Sequence, residues 1–164
     1  MNKAEAKTRS KKAGVNGGRE TLIDVRGLKV AFRSGQTETL AVKGIDFHVG
    51  KGETVALVGE SGSGKSVSAL SIMKLLPYSA ASHPGGEILF EGQDLIKATE
   101  REMQAVRGNR ISIIFQEPMT SLNPLHTIEK QVGEVLKVHR GLDDGAVRSR
   151  VVELLRKVGI RDPE

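Results

Sequence analysis

Five segments in the first two thirds of the chain have the apolar pattern of β-strands. Residues 21–32, TLIDVRGLKVAF, are rich in β-forming types, and residues 40–49, LAVKGIDFHV, alternate toward their end. Residues 54–59, TVALVG, are nearly all apolar, which is typical of a strand covered on both faces. Residues 87–95 predict a strand with a turn, and residues 110–115 predict a further strand. The pattern therefore indicates a β-rich beginning followed by buried strands.

Helical spacing occupies the segments between and after these strands. Residues 67–76 form a helical pattern that Pro77 stops, and residues 77–86, PYSAASHPGG, predict a loop. Residues 127–140 and 144–159 have the apolar spacing of amphipathic helices. One face of the last helix collects four apolar residues: Val147, Val151, Leu154 and Val158.

Local signals also mark a short helix between the last two predicted strands. Thr99 is an N-cap residue type, and Glu102 stands three positions later, where a capping box requires an acidic or amide side chain. Gly108 follows at the distance expected of a helix end. This short segment therefore carries both a start signal and a stop signal.

The strongest chemical signal is a phosphate loop. Gly59, Gly64, Lys65 and Ser66 match G-x-x-x-x-G-K-[ST] without a mismatch, between a buried-type strand and a helix. The glycines let the backbone approach phosphate oxygens, and the inward N–H groups form an anion-binding nest. The helix N-terminus adds about half a positive charge, the lysine reaches the β- and γ-phosphates, and the serine hydroxyl can bind Mg²⁺.

Together with the segment GNRISIIFQEPMTSLNPLHTIEKQVGE, this loop resembles the ATP-binding subunit of an ABC transporter. That segment, which is similar to the family's Q-loop region, and VALVGESGSGKSVSALSIMKLLP resemble the dipeptide, oligopeptide and nickel importer branch, over about residues 20–162. The resemblance implies an α/β fold: a P-loop NTPase of ABC type with a β-rich N-terminal subdomain, truncated within the helical subdomain. It implies a partial nucleotide-binding domain over 21–164, with the P-loop core at 21–116 and the Q-loop and start of the helical subdomain at 116–164, after the tail over 1–20 that composition predicts.

The resemblance assigns roles to individual residues. Phe32 matches the aromatic residue that stacks on adenine, although a core strand residue is the alternative. Gln116 matches the Q-loop glutamine, which meets Mg²⁺ and the attacking water, so Gln116 and Lys65 are the expected catalytic residues. Ser66 and Gln116 would contact Mg²⁺. The ATP cradle comprises Gly59, Ser61, Gly62, Ser63, Gly64, Lys65, Ser66 and Val67.

The same resemblance implies partners and a location. We expect ATP-driven uptake of peptides or related solutes, with permease subunits meeting the Q-loop region and a second ATP-binding subunit, on the cytoplasmic side of the inner membrane. The transported substrate stays open among dipeptides, longer peptides, nickel and peptide-like antibiotics. The family's signature motif, Walker B aspartate, catalytic glutamate and switch histidine have no match here, so we expect no meaningful ATPase turnover from this chain alone. The alternative is a non-hydrolytic nucleotide-binding or interaction module.

Composition narrows the remaining possibilities. The 164 residues carry a net charge of +5, but residues 1–20 alone hold six Lys/Arg against two Asp/Glu. Low hydrophobicity and glycine predict a disordered tail there, either a solvated leader or a weak contact to anionic lipid or nucleic acid. The nearly neutral remainder argues against a specific nucleic-acid partner. There is no cysteine, which excludes disulfides, and the histidines are predicted as surface or loop residues: His48, His83, His126 and His139.

Overall fold

The structure, a computed structural model, describes residues 15–16, 19–115 and 122–164. The chain forms two compact units that divide between Met103 and Gln104. The strands are β1 (Val15–Asn16), β2 (Arg19–Ser34), β3 (Thr37–Gly50), β4 (Ala81–Phe90) and β5 (Gln93–Asp94). The helices are α1 (Lys65–Ile72), α2 (Glu100–Val106), α3 (Ile128–Arg140) and α4 (Asp144–Lys157).

Strand β2 lies at the centre of an antiparallel sheet. It pairs with β3, with β4 and with the short β1, while β5 pairs with β4. The strands predicted at 21–32, 40–49 and 87–95 are confirmed, the last as β4 and β5 joined by a turn. Strand β1 and the start of β2 fall within the segment predicted as a tail, and residues 1–14 lie outside the described residues.

The loop predicted over residues 77–86 is wrong for its second half. Strand β4 already begins at Ala81, which pairs with Phe32, and Gly85 pairs with Lys29. The register between β2 and β4 shifts on both sides of Lys29, so the ladder is irregular where proline and glycine enter the strand. Bulges and irregular pairing are the places where a sheet accepts these residue types.

The strands predicted at 54–59 and 110–115 are also wrong. Neither segment has strand structure, and 110–115 contributes only an isolated bridge between Arg107 and Ile111. The side chains of Val58 and Ile114 are each 93% exposed. A nearly all-apolar strand normally forms hydrogen bonds with a neighbouring strand on each edge. The part of the chain that the structure describes supplies no strand that pairs with these two segments.

Helix α1 covers the sheet by packing against β2 and β3. Its Ser68 and Ser71 hydroxyls donate to the carbonyls of Gly64 and Val67, each at 2.8 Å, which satisfies two polar groups that the packing buries. The apolar core of this unit includes Val25, Leu28, Val30, Ala31, Val42, Met73, Leu76, Ala81, Ile88, Phe90, Leu95 and Met103.

Helix α1 ends at Ile72, earlier than the end that the sequence predicted just before Pro77. Lys74 adopts a left-handed conformation with φ 49°, and the Leu75 N–H donates to the Leu70 carbonyl at 3.0 Å, the six-to-one bond of a Schellman ending. The Lys74 ammonium then donates to the carbonyls of Ile96 and Ala98, at 3.2 and 2.8 Å. These bonds hold a non-glycine residue in a conformation that costs about 1–2 kcal/mol.

The capping box of α2 is confirmed. The Thr99 N–H donates to Glu102 Oε2 at 2.7 Å, and the Glu102 N–H donates to Thr99 Oγ1 at 3.3 Å. Hydrogen bonds from the Thr99 hydroxyl and then from its backbone N–H lower the pKa of Glu102. Gly108 has φ 75°, as expected of a residue just past a helix end.

Helices α3 and α4 form the packed pair of the second unit. Thr127 and Asp143 are their N-caps, and a Cβ on Gly133 would lie 2.5 Å from Val147 Cγ1, so the two helices approach through a glycine. Of the apolar face predicted for α4, Val147 and Val151 are buried and Leu154 is half-buried, whereas Val158 lies just past the end of the helix and is 75% exposed.

We expect the carboxyl group of Glu153 on α4 to titrate far below an ordinary glutamate. Hydrogen bonds from Lys157 and then Arg150 lower the pKa of Glu153 from 4.5 to about 2. The stabilisation from these pairs is complete above pH 4.5 and is lost as the pH falls toward about 2. An NMR titration of the unsubstituted chain should show this low midpoint, Lys157→Met should move it toward 4.5, and Lys157→Arg should preserve it. A midpoint near 4.5 in the unsubstituted chain would contradict the assignment.

Candidate functional site

The loop that precedes α1 folds back on itself. The Ser63 N–H donates to the Glu60 carbonyl at 3.2 Å, which closes a tight turn. Gly62 and Gly64 follow with φ 81° and φ 90°, and Gly64 is the N-cap of α1. The prediction that a helix begins next to the loop is therefore confirmed.

Gly64 lies close against strand β3 of the sheet. A Cβ at this position would lie 2.9 Å from the Ala41 carbonyl oxygen and 3.1 Å from Val42 Cγ2. The backbone of β3 cannot move aside for it, and φ 90° is unfavourable for any residue with a side chain. The loop can therefore rest on β3 only because this residue is glycine.

The Lys65 ammonium lies against the inner side of the loop. Its Nζ donates to the carbonyls of Gly59 and Glu60, each at 2.7 Å, and to Ser63 Oγ at 3.3 Å. Lys65 is the first residue of α1, so the cation stands beside the N-terminal N–H groups of that helix. A lysine ammonium and a helix N-terminus both favour an anion at the same place.

The remaining residues of the predicted cradle surround this point. Ser61 and Gly62 are exposed in the turn, and Ser66 is exposed in the first turn of α1. Val67 is half-buried and accepts a hydrogen bond from Ser71 through its carbonyl. The cradle is thus open to solvent on its loop side and packed on its helix side.

Two clefts open beside the loop. The first has a volume of about 570 Å³, and it is lined by residues 39–45 of β3 together with Gly62 and Ser63. The second has a volume of about 320 Å³, and its lining includes Phe47, Leu57, Ser63 and Lys65. Ser63 lines both clefts, so it stands at the boundary between them. The volume of the first cleft falls within the range typical of small-molecule sites.

Phe32 lies near the first cleft but does not line it. It is half-buried in β2 and pairs with Thr39 of β3, and Thr39 is one of the lining residues. Residues directly opposite one another in an antiparallel pair project to the same face of the sheet. The Phe32 ring and the Thr39 side chain therefore share a face.

Gln116, the predicted metal-contacting glutamine, lies outside the described residues. Residues 123–126 are held by a residue that the sequence did not single out. Gln131 of α3 accepts from the Asn123 N–H at 2.8 Å and donates to the carbonyls of Asn123 and His126, at 3.0 and 2.9 Å. Its helical position offered no signal for this role, because the bonds depend on how the preceding loop folds back.

The histidines form no metal site. Within residues 15–16, 19–115 and 122–164, no three His, Cys, Asp or Glu side chains are grouped so that they could hold a metal ion. The prediction that all four are surface or loop residues is wrong for two of them: His83 is half-buried in β4, and His139 is half-buried in α3. Burial, and then the nearby Lys74 charge, lower the pKa of His83.

Comparison with known proteins agrees with the motifs. Residues 42–164 match the family model described as "ABC transporter". The chain is 59% identical over 145 residues to the peptidoglycan transport ATP-binding protein YejF of Agrobacterium fabrum, covering 88% of this chain and 27% of that protein. It is 51% identical over 143 residues to the oligopeptide transport ATP-binding protein OppD of Bacillus subtilis, covering 87% of this chain and 40% of that protein. The chain thus spans less than half the length of these relatives.

Solved structures show the same fold. The dimeric structure of MJ0796, a bacterial ABC transporter cassette, matches with a TM-score of 0.70 and 25% identity, over 85% of this chain and 58% of that chain. The dimeric post-hydrolysis state of the same cassette, bound to ADP and Pi, also has a TM-score of 0.70, at 24% identity. The predicted α/β fold of ABC type is confirmed. In the described part of the chain, no helix has the length and apolar character needed to cross a membrane.

We expect Gly64→Ala to separate the loop from β3. The added methyl group meets the Ala41 carbonyl and also forces an alanine into φ 90°. Gly52→Ala is the matched control, because Gly52 has φ 68° and nothing lies within 4 Å of the place that its added methyl group would take. Denaturant unfolding should show a loss of about 1 kcal/mol for Gly52→Ala and clearly more for Gly64→Ala. Equal losses would show that the contact with β3 contributes nothing.

Proposed function

The chain belongs to the ABC transporter family, and from that premise we propose that it is the ATP-binding part of a transporter that takes up peptides or related solutes. The observation that carries the proposal is the Lys65 ammonium held inside the loop at the N-terminus of α1. A polyphosphate is the ligand that such a cation and a helix N-terminus bind together. The names of the relatives support the solute class, since one describes an ATP-binding protein for peptidoglycan transport and the other an ATP-binding protein for oligopeptide transport.

The two ends of ATP would be bound by different elements. The phosphates would lie in the cradle from Gly59 to Val67, with Lys65 reaching the β- and γ-phosphates. The nucleoside would extend along the first cleft beside β3, toward the face of the sheet that Phe32 and Thr39 share. Phe32 would stack on the adenine ring.

Magnesium fits the residues at the start of α1. Ser66 exposes its hydroxyl in the first helical turn, next to the place where the β- and γ-phosphates would lie. Mg²⁺ typically takes only one or two protein ligands and completes its shell with phosphate oxygens and water. We propose Ser66 and Gln116 as these ligands. When bound, the ion would neutralise charge on the phosphates, while Gln116 would orient the attacking water.

The proposed partners are permease subunits and a second ATP-binding subunit. The residues that follow Gln116 support the first, because Leu122, Leu125 and Ile128 are exposed and Leu125 is 87% exposed. Apolar side chains grouped on a surface are typical of protein interfaces. The dimeric MJ0796 cassette supports the second. The chain would then act at the inner face of the cell membrane as a peripheral subunit.

We expect Lys65→Ala to weaken ATP binding by at least about tenfold, because the substitution removes a charge-assisted contact to the phosphates. Isothermal titration with Mg·ATP measures this directly. Lys97→Ala is the control, since Lys97 is an exposed lysine that pairs with Asp94 and lies outside both clefts. Equal ATP affinity in Lys65→Ala and the unsubstituted chain would refute the phosphate-loop assignment.

We expect Phe32→Leu to weaken ATP binding by about 1–3 kcal/mol while leaving tripolyphosphate binding unchanged. The substitution removes the ring but keeps an apolar side chain in β2, so it separates stacking from burial. Phe32→Tyr should retain the affinity for ATP. Phe90→Leu is the control for losing a ring from a buried strand position. If Phe32→Leu changes the affinity for ATP and for tripolyphosphate equally, the residue supports the fold and not the base.

A further inference from the structure

The Lys65 ammonium donates three hydrogen bonds, all of them to oxygens of the loop itself. The Gly59 and Glu60 carbonyls accept at 2.7 Å, and Ser63 Oγ accepts at 3.3 Å. An ammonium has three donors and no acceptor, so this set saturates it. A phosphate oxygen can therefore bond to Lys65 directly only if one of these three acceptors gives way.

The three acceptors are not equal. Both carbonyls lie at a normal hydrogen-bond distance and belong to the backbone of the loop, whereas the Ser63 contact is longer than the usual range and therefore weaker. The Ser63 hydroxyl can also leave by a rotation about one side-chain bond, without moving the backbone. Ser63 is thus the acceptor that is displaced at the lowest cost.

The position of Ser63 agrees with such an exchange. Ser63 lines both clefts beside the loop. Its hydroxyl packs over Gly59, where a Cβ would lie 2.8 Å from Ser63 Oγ. The oxygen therefore lies beside both Gly59 and Lys65.

We propose that Ser63 Oγ holds the place on Lys65 Nζ that a phosphate oxygen takes when nucleotide binds. The inference rests on the proposed function, and it makes Ser63 a positioning residue that acts through Lys65. The hydroxyl competes with the incoming phosphate for one hydrogen of the ammonium. The two carbonyls remain bonded to Lys65 in both states.

This exchange has a consequence for nucleotide selectivity. Without the Ser63 hydroxyl, Lys65 keeps two carbonyl acceptors and has one hydrogen available for the ligand. Nucleotides with a β-phosphate should then bind about threefold to tenfold more tightly, which is the net effect of one hydrogen bond. AMP should bind with unchanged affinity, since Lys65 contacts the β- and γ-phosphates.

The test compares ATP, ADP and AMP binding by calorimetry in the full chain. The variants are Ser63→Ala, Ser63→Gly, Lys65→Ala and the double variant Ser63→Ala/Lys65→Ala. The control is Ser149→Ala, which removes a hydroxyl that donates to a backbone carbonyl on α4. We expect both Ser63 variants to tighten ATP and ADP binding and to leave AMP unchanged, with no effect of Ser63→Ala in the Lys65→Ala background.

The outcomes separate this inference from the function on which it rests. If ATP binding depends on Lys65 but neither Ser63 variant binds ATP more tightly, the exchange is refuted and the ATP site stands. A tightening that persists in the Lys65→Ala background, or that includes AMP, also refutes it, because the hydroxyl would then act without Lys65. If the unsubstituted chain binds no ATP, the proposed function and the exchange are both refuted.

Discussion

The contact between Gly64 and β3 is the constraint on which the candidate site depends. The loop passes so close to the Ala41 carbonyl that no side chain fits, and this fixes the point at which α1 begins. The position of Lys65 follows, because it is the next residue and the first of the helix. The position of the first cleft follows as well, since its walls are residues 39–45 of β3 and the turn that immediately precedes Gly64. A local backbone contact thus aligns the cation, the helix N-terminus and the cleft.

In the proposed function, the same loop would prepare a place for an anion. Two backbone carbonyls hold the Lys65 ammonium, so little side-chain freedom is left to be lost when a ligand binds. Such preorganisation lowers the entropic cost of association. In this account, nucleotide binding exchanges one weak internal acceptor for a charged one, and the loop backbone keeps its form. The affinity for nucleotide then depends on how much more strongly the Lys65 ammonium bonds to a phosphate oxygen than to the Ser63 hydroxyl.

Sequence predicted the features whose hydrogen bonds join neighbouring residues, and also the strands that pair in the described sheet. The turn with a helix start at Lys65 and the Thr99–Glu102 capping box are of the first kind, because their hydrogen bonds join residues a few positions apart. The segments at 54–59 and 110–115 could not be predicted, because an apolar strand needs pairing partners that its own sequence does not contain. The Gln131 bonds to the preceding loop were missed for a similar reason. The family itself could be predicted, since its motifs are contiguous.

The most direct test of the account is a backbone-amide NMR titration of the chain with Mg·ATP. Backbone N–H groups of the loop and of the first turn of α1 would contact the phosphates, so their resonances report the site without any substitution. The account predicts that the largest shifts fall on the amides from Gly59 to Val67, with smaller shifts along residues 39–45 of β3. Shifts confined to α3 and α4, or no shift at saturating nucleotide, would contradict it.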